Sequence, residues 1–141
     1  MNKYTKLYGH HASSHAISNK ERIIKEVFVT KNAHKKITEN YKINLDKFNT
    51  KIVETKLISG MLEGNQVHQG ILVIAEKKKM NEINQYDFSN CKRVVFLDNV
   101  NDPRNIGAII RTCAAFNCKT IITTNKFDQL DEGIIAKASS G

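Results

Sequence analysis

The chain has 141 residues and a mass of 16.0 kDa, room for one ordinary domain or two small ones but not for a large multidomain enzyme. Apolar residues make up 40% and charged residues 26%, a balance that predicts a packed core and excludes a disordered tail. The 22 basic side chains against 14 acidic ones give a net charge of +8 and a pI near 9.4, an excess suited to a polyanionic partner.

Leu7-Tyr8-Gly9-His10-His11 leads into a short helical stretch from Ala12 to Ser18. Ile23 to Thr30 has a β-rich core bounded by Lys31-Asn32. Over residues 33–44, Ile37 and Tyr41 fall four apart, as on a helix packed against a sheet. Lys51-Ile52-Val53-Glu54 predicts a second strand. A helix from Thr55 to Glu63 follows, with Leu57, Ile58, Met61 and Leu62 on one face. Gly64-Asn65 marks a turn, and Gln69 to Ala75 is the most strand-like run of this half. This alternation makes residues 1–75 a small α/β domain.

Residues 76–92 are polar, rich in lysine at Lys77-Lys78-Lys79 and weak in periodicity, which marks them as a solvated linker. Beyond them, Arg93 to Leu97 predicts a buried strand. Asp98 to Pro103 is a polar turn with the only proline, and Arg104 to Asn117 is a helix. Its apolar face is Ile106, Ile109, Ile110, Cys113 and Phe116. Thr120 to Thr124 is the next strand. Asp131-Glu132 then places acid at the start of a helix running to Ala138. Strand, turn, helix, strand is a parallel crossover unit, and it would leave apolar surface around Val95, Leu97, Ile121 and Ile122.

The turn after the first strand of such a unit is where α/β folds place a ligand. It holds Asn101, Arg104, Asn105 and Gly107, with Arg111 seven residues beyond Arg104 on the same helix face. If the helix begins at Asn105, Ile106, Gly107 and Ala108, their free N–H groups favour an anion. Gly107 leaves a gap for close approach by backbone or ligand. Two guanidiniums beside that end suit a phosphodiester. Cys91, Cys113 and Cys118 make no disulfide framework and read as small apolar residues. His11 and His15 fall at i, i+4, but no further ligand lies nearby in sequence, so the expectation is ordinary surface histidines and no metal. With no apolar run long enough to span a membrane and no leader at Met1-Asn2-Lys3, the chain is expected to be soluble and cytoplasmic.

The run from Asn101 to Phe116 resembles the first signature motif of the SpoU/TrmH-type RNA 2'-O-ribose methyltransferases of the SPOUT superfamily. Lys137-Ala138-Ser139-Ser140-Gly141 is similar to that family's K-A-S-x-G segment. Leu7 to Ala12 and Val67-His68-Gln69-Gly70 resemble the two ends of its small substrate-binding domain. The resemblance implies an RNA-binding domain at 1–75, a linker at 76–92, and at 93–141 the opening of a parallel-sheet, trefoil-knot SPOUT domain. It implies methyl transfer from S-adenosylmethionine to a ribose 2'-hydroxyl of rRNA or tRNA. Asn105 and Arg111 would be catalytic, and Asn101, Arg104 and Gly107 would contact RNA. Arg111 would act either as the base or by orienting phosphate and stabilising the alkoxide. The family acts as homodimers. Its later G-x-E-x-G and S-L-N-V-S-like motifs, which build the knot and cradle the cofactor, have no counterpart in these 141 residues. The expectation is therefore a C-terminally truncated form, inactive alone and with its cofactor site mostly missing. The alternative reading is a non-catalytic RNA-binding fragment.

Overall fold

A computed structural model describes residues 3–124 and 130–141. The first half folds as a four-stranded mixed sheet of β1 (Tyr4–Tyr8), β2 (Ile24–Val29), β3 (Thr50–Ile52) and β4 (Ile71–Glu76), ordered β1-β4-β2-β3. β4 runs antiparallel to both neighbours, with Leu7 opposite Val73 and Val27 opposite Val73, while β2 and β3 pair in parallel. β4 is central, and Ile71, Leu72, Val73 and Ala75 are all buried, so it reads as a nearly continuous apolar run.

The period-two alternation assigns each side chain to a face. Leu7, Val27, Val29, Ile71 and Val73 pack under α1 (His10–Ser18) and α2 (Lys31–Tyr41), with Ala16, Ala33 and Ile37. Tyr8, Phe28 and Leu72 face the other way, onto Ile58 of α3 (Thr55–Met61). Thr30 caps α2 by accepting from the Ala33 amide at 3.3 Å. The α3 face departs from expectation, because Leu57 is 49% exposed while Ile58 carries the contact. A helix that short presents one residue per turn to a flat sheet.

The second sheet pairs β5 (Val94–Leu97) and β6 (Thr120–Thr123) in parallel, crossed by α4 (Pro103–Ala115) and followed by α5 (Glu132–Ser139). Leu97, Ile106 and Ile135 form its core, with Val95, Ile109, Ile110 and Ile121 packed against them. Two expectations need correction. β5 is not a buried strand, since only Leu97 is buried and Phe96 is 58% exposed. Its helices cover one face alone, so alternate residues face outward. Phe116, at 68% exposed, lies past the end of α4 rather than on its apolar face. The exposed apolar surface thus centres on Val94 and Phe96, not on Val95 and Leu97. Residues 76–92 are not a free tether. Tyr86 stacks edge-on against Phe88, and its hydroxyl pairs with Thr120 Oγ1 at 2.8 Å. Cys113 and Cys118 are buried, and all three cysteines are free thiols.

α5 joins the two halves. A Cβ on Gly107 of α4 would lie 2.5 Å from Ala138 Cβ and 2.6 Å from the Ile135 carbonyl oxygen. A Cβ on Gly133 of α5 would strike the Lys6 carbonyl and lie 2.7 Å from the Tyr8 ring. Gly107→Ala is expected to cost roughly 1–3 kcal/mol through overpacking. Gly60→Ala, in a helix with nothing within 4 Å of the new methyl, should be neutral or stabilise by roughly 0.5–1 kcal/mol. Urea titration of both variants checks the contrast, and equal stabilities would contradict the packing role of Gly107.

Candidate active site and the junction behind it

The turn leaving β5 is tied to the end of β6: the Asn99 amide donates to Thr124 Oγ1 at 3.3 Å and the Thr124 amide to the Leu97 carbonyl at 3.4 Å. α4 then starts at Pro103, earlier than the sequence suggested. Proline has no N–H to leave unsatisfied and suits that first position. Asp102 is the N-cap, its carboxylate accepting from the Arg104 amide at 2.7 Å while its carbonyl accepts from Ile106 at 3.0 Å. The amides of Ile106, Gly107 and Ala108 are therefore inside the helix and do not form an anion site. A carboxylate already occupies that positive end.

The cationic work falls to side chains. Arg104, Asn105 and Arg111 are exposed, as is Asn101 in the turn. Seven residues is close to two turns, so Arg104 and Arg111 share one stripe of α4, with Asn105 a little over a quarter turn round from Arg104. Gly107 is buried beneath α5, so the contact with RNA expected of it has no surface to occur on. Its missing side chain serves helix packing instead.

The flanking motifs come together elsewhere. Lys137 of α5 donates to the Val67 carbonyl and its ammonium sits 5.6 Å from the Tyr8 ring centroid. The Gly9 amide donates to the His68 carbonyl at 3.2 Å and the His10 amide to Gln69 Oε1 at 2.8 Å. Gly70 has φ +79°, and a Cβ there would fall 2.5 Å from Thr30 Oγ1. Residues 67–70 therefore clasp β1, α1, α2 and α5 together. The sequence reading had not assigned this structural role to His68 or Lys137, although a histidine between apolar and glycine positions was the available signal. The histidine cluster at 10, 11 and 15 divides: His10 bonds the Gln69 carbonyl at 2.9 Å and His11 meets the Tyr41 hydroxyl at 3.3 Å.

Tyr8 is 1% exposed, and its hydroxyl has no partner among the described residues. Burial, helped by nearby Asp131 and opposed by Arg104, pushes its pKa up to about 12. Tyr8 thus remains a neutral phenol and supplies no anion or base at physiological pH.

Comparison with known proteins agrees with this arrangement. Residues 6–81 match the family described as RNA 2'-O ribose methyltransferase substrate binding, and residues 92–141 match the SpoU rRNA Methylase family. The chain is 28% identical over 143 residues to the 23S rRNA (guanosine-2'-O-)-methyltransferase RlmB of Haemophilus ducreyi, spanning 96% of this chain and 57% of that protein. It is 31% identical over 133 residues to RlmB of Pasteurella multocida, spanning 88% and 53%. Its fold is similar to the SpoU methyltransferase AviRb from Streptomyces viridochromogenes in complex with AdoMet, with a TM-score of 0.73, 15% identity and coverage of 99% of this chain and 52% of that one. The chain belongs to the SpoU-type RNA 2'-O-ribose methyltransferase family. It spans about half the length of the RlmB relatives.

A cavity of about 880 Å³ lies along Phe96 and Ile122 on the sheet face opposite Leu97. It is lined largely by apolar groups such as Ile83, Tyr86 and Phe88, and takes no residue from α4.

The clasp also predicts a pH dependence. The Gly70 amide donates to His68 Nδ1 at 3.1 Å, so the ring proton is on Nε2, which donates to Ser59 Oγ at 3.0 Å. Burial first, then Lys137, lowers the His68 pKa, and burial lowers that of His10. Both pKa values lie below the ordinary 6.5, so the unfolded chain takes up protons first as pH falls. Their contribution to stability is complete above that value and lost as pH drops toward the folded pKa values. The melting temperature should fall between about pH 7.5 and pH 5.5, less steeply for His68→Gln. An unchanged slope in that variant would contradict the assignment.

Proposed function

We propose that this chain is the RNA-docking half of an S-adenosylmethionine-dependent methyltransferase that modifies a ribose 2'-hydroxyl in rRNA or tRNA. In this reading residues 1–75 hold RNA, 76–92 connect, and 93–141 open the catalytic SPOUT domain. The observation that carries it is the exposure of Asn105 and Arg111 on α4, inside a region matching the SpoU rRNA Methylase family that follows one matching its substrate-binding partner. Homodimerisation and a cytoplasmic location belong to the same proposal. Among the described residues no helix is long and apolar enough to cross a membrane.

A ribose hydroxyl is a weak nucleophile that must be held in line and relieved of its proton. A guanidinium offers hydrogen-bond donors and no acceptor, so the role proposed for Arg111 is to hold the phosphate beside the target ribose and stabilise the developing alkoxide. Asn105 positions the sugar, while Arg104 and Asn101 contact the flanking backbone. A second reading, RNA binding without catalysis by these 141 residues alone, is supported by the match to only about half the length of the RlmB relatives.

Two measurements test the proposal. The polypeptide 1–141 should bind an RNA stem–loop with affinity that falls steeply with salt, and should transfer no methyl group to total RNA. Salt-independent affinity would contradict the phosphate reading, and methyl transfer to ribose would contradict the second reading. Joining residues 1–141 to the part of Pasteurella multocida RlmB beyond its matched region gives a chain in which Arg111 can be assayed. Arg111→Ala should lower methyl transfer by roughly a hundredfold or more. Its stability should stay within roughly 0.5 kcal/mol of the parent, as for an exposed residue. A fully active variant would overturn the catalytic role.

A further inference from the structure

The end of the first sheet collects cations from three stretches of sequence. The Glu76 amide donates to the Ile23 carbonyl at 2.9 Å and the Lys77 amide to the Lys3 carbonyl at 3.0 Å, drawing the start of β1, the start of β2 and the end of β4 together. Lys3 and Lys25 both reach Glu76, at 3.5 and 3.1 Å, while Arg22 and Lys78 lie beside them in the chain. Here Lys78, from the lysine run that looked like a solvated linker, lines a cleft of about 490 Å³ with His15, Ser18, Asn19 and Arg22, over apolar residues such as Leu7 and Ala136. None of its lining residues comes from α4.

Arg22 is the informative member. Its backbone amide is fixed by the Asn19 carbonyl at 3.0 Å, so the side chain leaves from an ordered turn. Its Nη1 is enclosed, and among the described residues it has no hydrogen-bond acceptor. A shielded guanidinium donor without an acceptor is costly, and an anionic oxygen is what satisfies it best. Lys78 is held by Glu21 at 3.2 Å, but that carboxylate is largely in solvent, so the pair is weak and can yield to a stronger anion.

We infer that this cleft is a second RNA contact, in which Arg22 and Lys78 hold a phosphodiester of the substrate's backbone at a place that α4 does not line. The inference rests on the RNA-binding reading above. A backbone fits better than a lone phosphate because further cations, Lys3 and Lys25, gather about Glu76, two residues from Lys78 in the chain. The contact would position RNA without reading its sequence.

The test is fluorescence anisotropy of the 141-residue chain with a labelled RNA stem–loop across a salt series, with inorganic phosphate as competitor. Arg22→Gln should weaken binding roughly tenfold. Arg22→Gln and Lys78→Gln should each lower the slope of log affinity against log salt by about one. Lys56→Gln, on exposed α3 outside the cleft, should leave the slope unchanged. Melting temperatures identify a variant that fails to fold, and if Arg22→Gln does so, Lys78→Gln decides. Wild-type binding with unchanged slopes in the folded cleft variants would overturn this inference alone. No RNA binding by the wild type would overturn the reading beneath it as well. Displacement of RNA by phosphate at matching affinity would make the cleft a small-anion site and overturn the assignment to RNA.

Discussion

The structure depends on how closely one short helix can approach its neighbours. α5 lies against α4 on one side and β1 on the other, and both contacts need a missing side chain, at Gly107 and Gly133 respectively. Three consecutive residues of that helix then supply three different apolar clusters. Ile134 packs with Tyr8 and Leu72, Ile135 with Leu97 and Ile106, and Ala136 with Leu7 and Val73. Neither sheet is large. A two-stranded sheet is marginal alone in water, so burial shared through α5 is what gives the second half a core.

This constraint separates residues that hold the molecule together from those free to meet a ligand. Residues of the signature-like segments bond one another across the junction, Lys137 to Val67, His10 to Gln69 and Gly9 to His68. Arg104, Asn105 and Arg111, by contrast, stand in solvent on α4. Electrostatics sharpen the division. With the Asp102 carboxylate already on the helix end, its dipole attracts no further anion, and affinity for phosphate must come from guanidinium and ammonium groups. The scarcity of arginine makes its placement informative, since two of four sit on α4 and a third points an enclosed donor beside a cleft.

Much of this was legible in the chain. The three- and four-residue spacing of Ile106, Ile109, Ile110 and Cys113 located α4, and the run Ile71 to Ala75 located the central strand. β1 was not read as a strand, because the five residues Tyr4 to Tyr8 offer two tyrosines and a lysine, whose orientation only the pairing with β4 fixes. Phe96 was read as core from the apolar run around it and Phe116 from its helical spacing, and both are exposed. Hydrophobicity names candidates for burial, but the number of neighbouring elements decides how many are covered.

The sequence by itself determined the order of the elements after β1, the family and the candidate catalytic segment, because these rest on local periodicity, capping chemistry and a long contiguous motif. Only the tertiary structure decided that Gly107 is a packing residue, that the Val67–Gly70 segment and Lys137 form one clasp, and that Lys78 faces Arg22 across a cleft. Each of those facts joins residues far apart in the chain. Contacts of that kind depend on the crossing of helices and the pairing of strands, which no local pattern encodes.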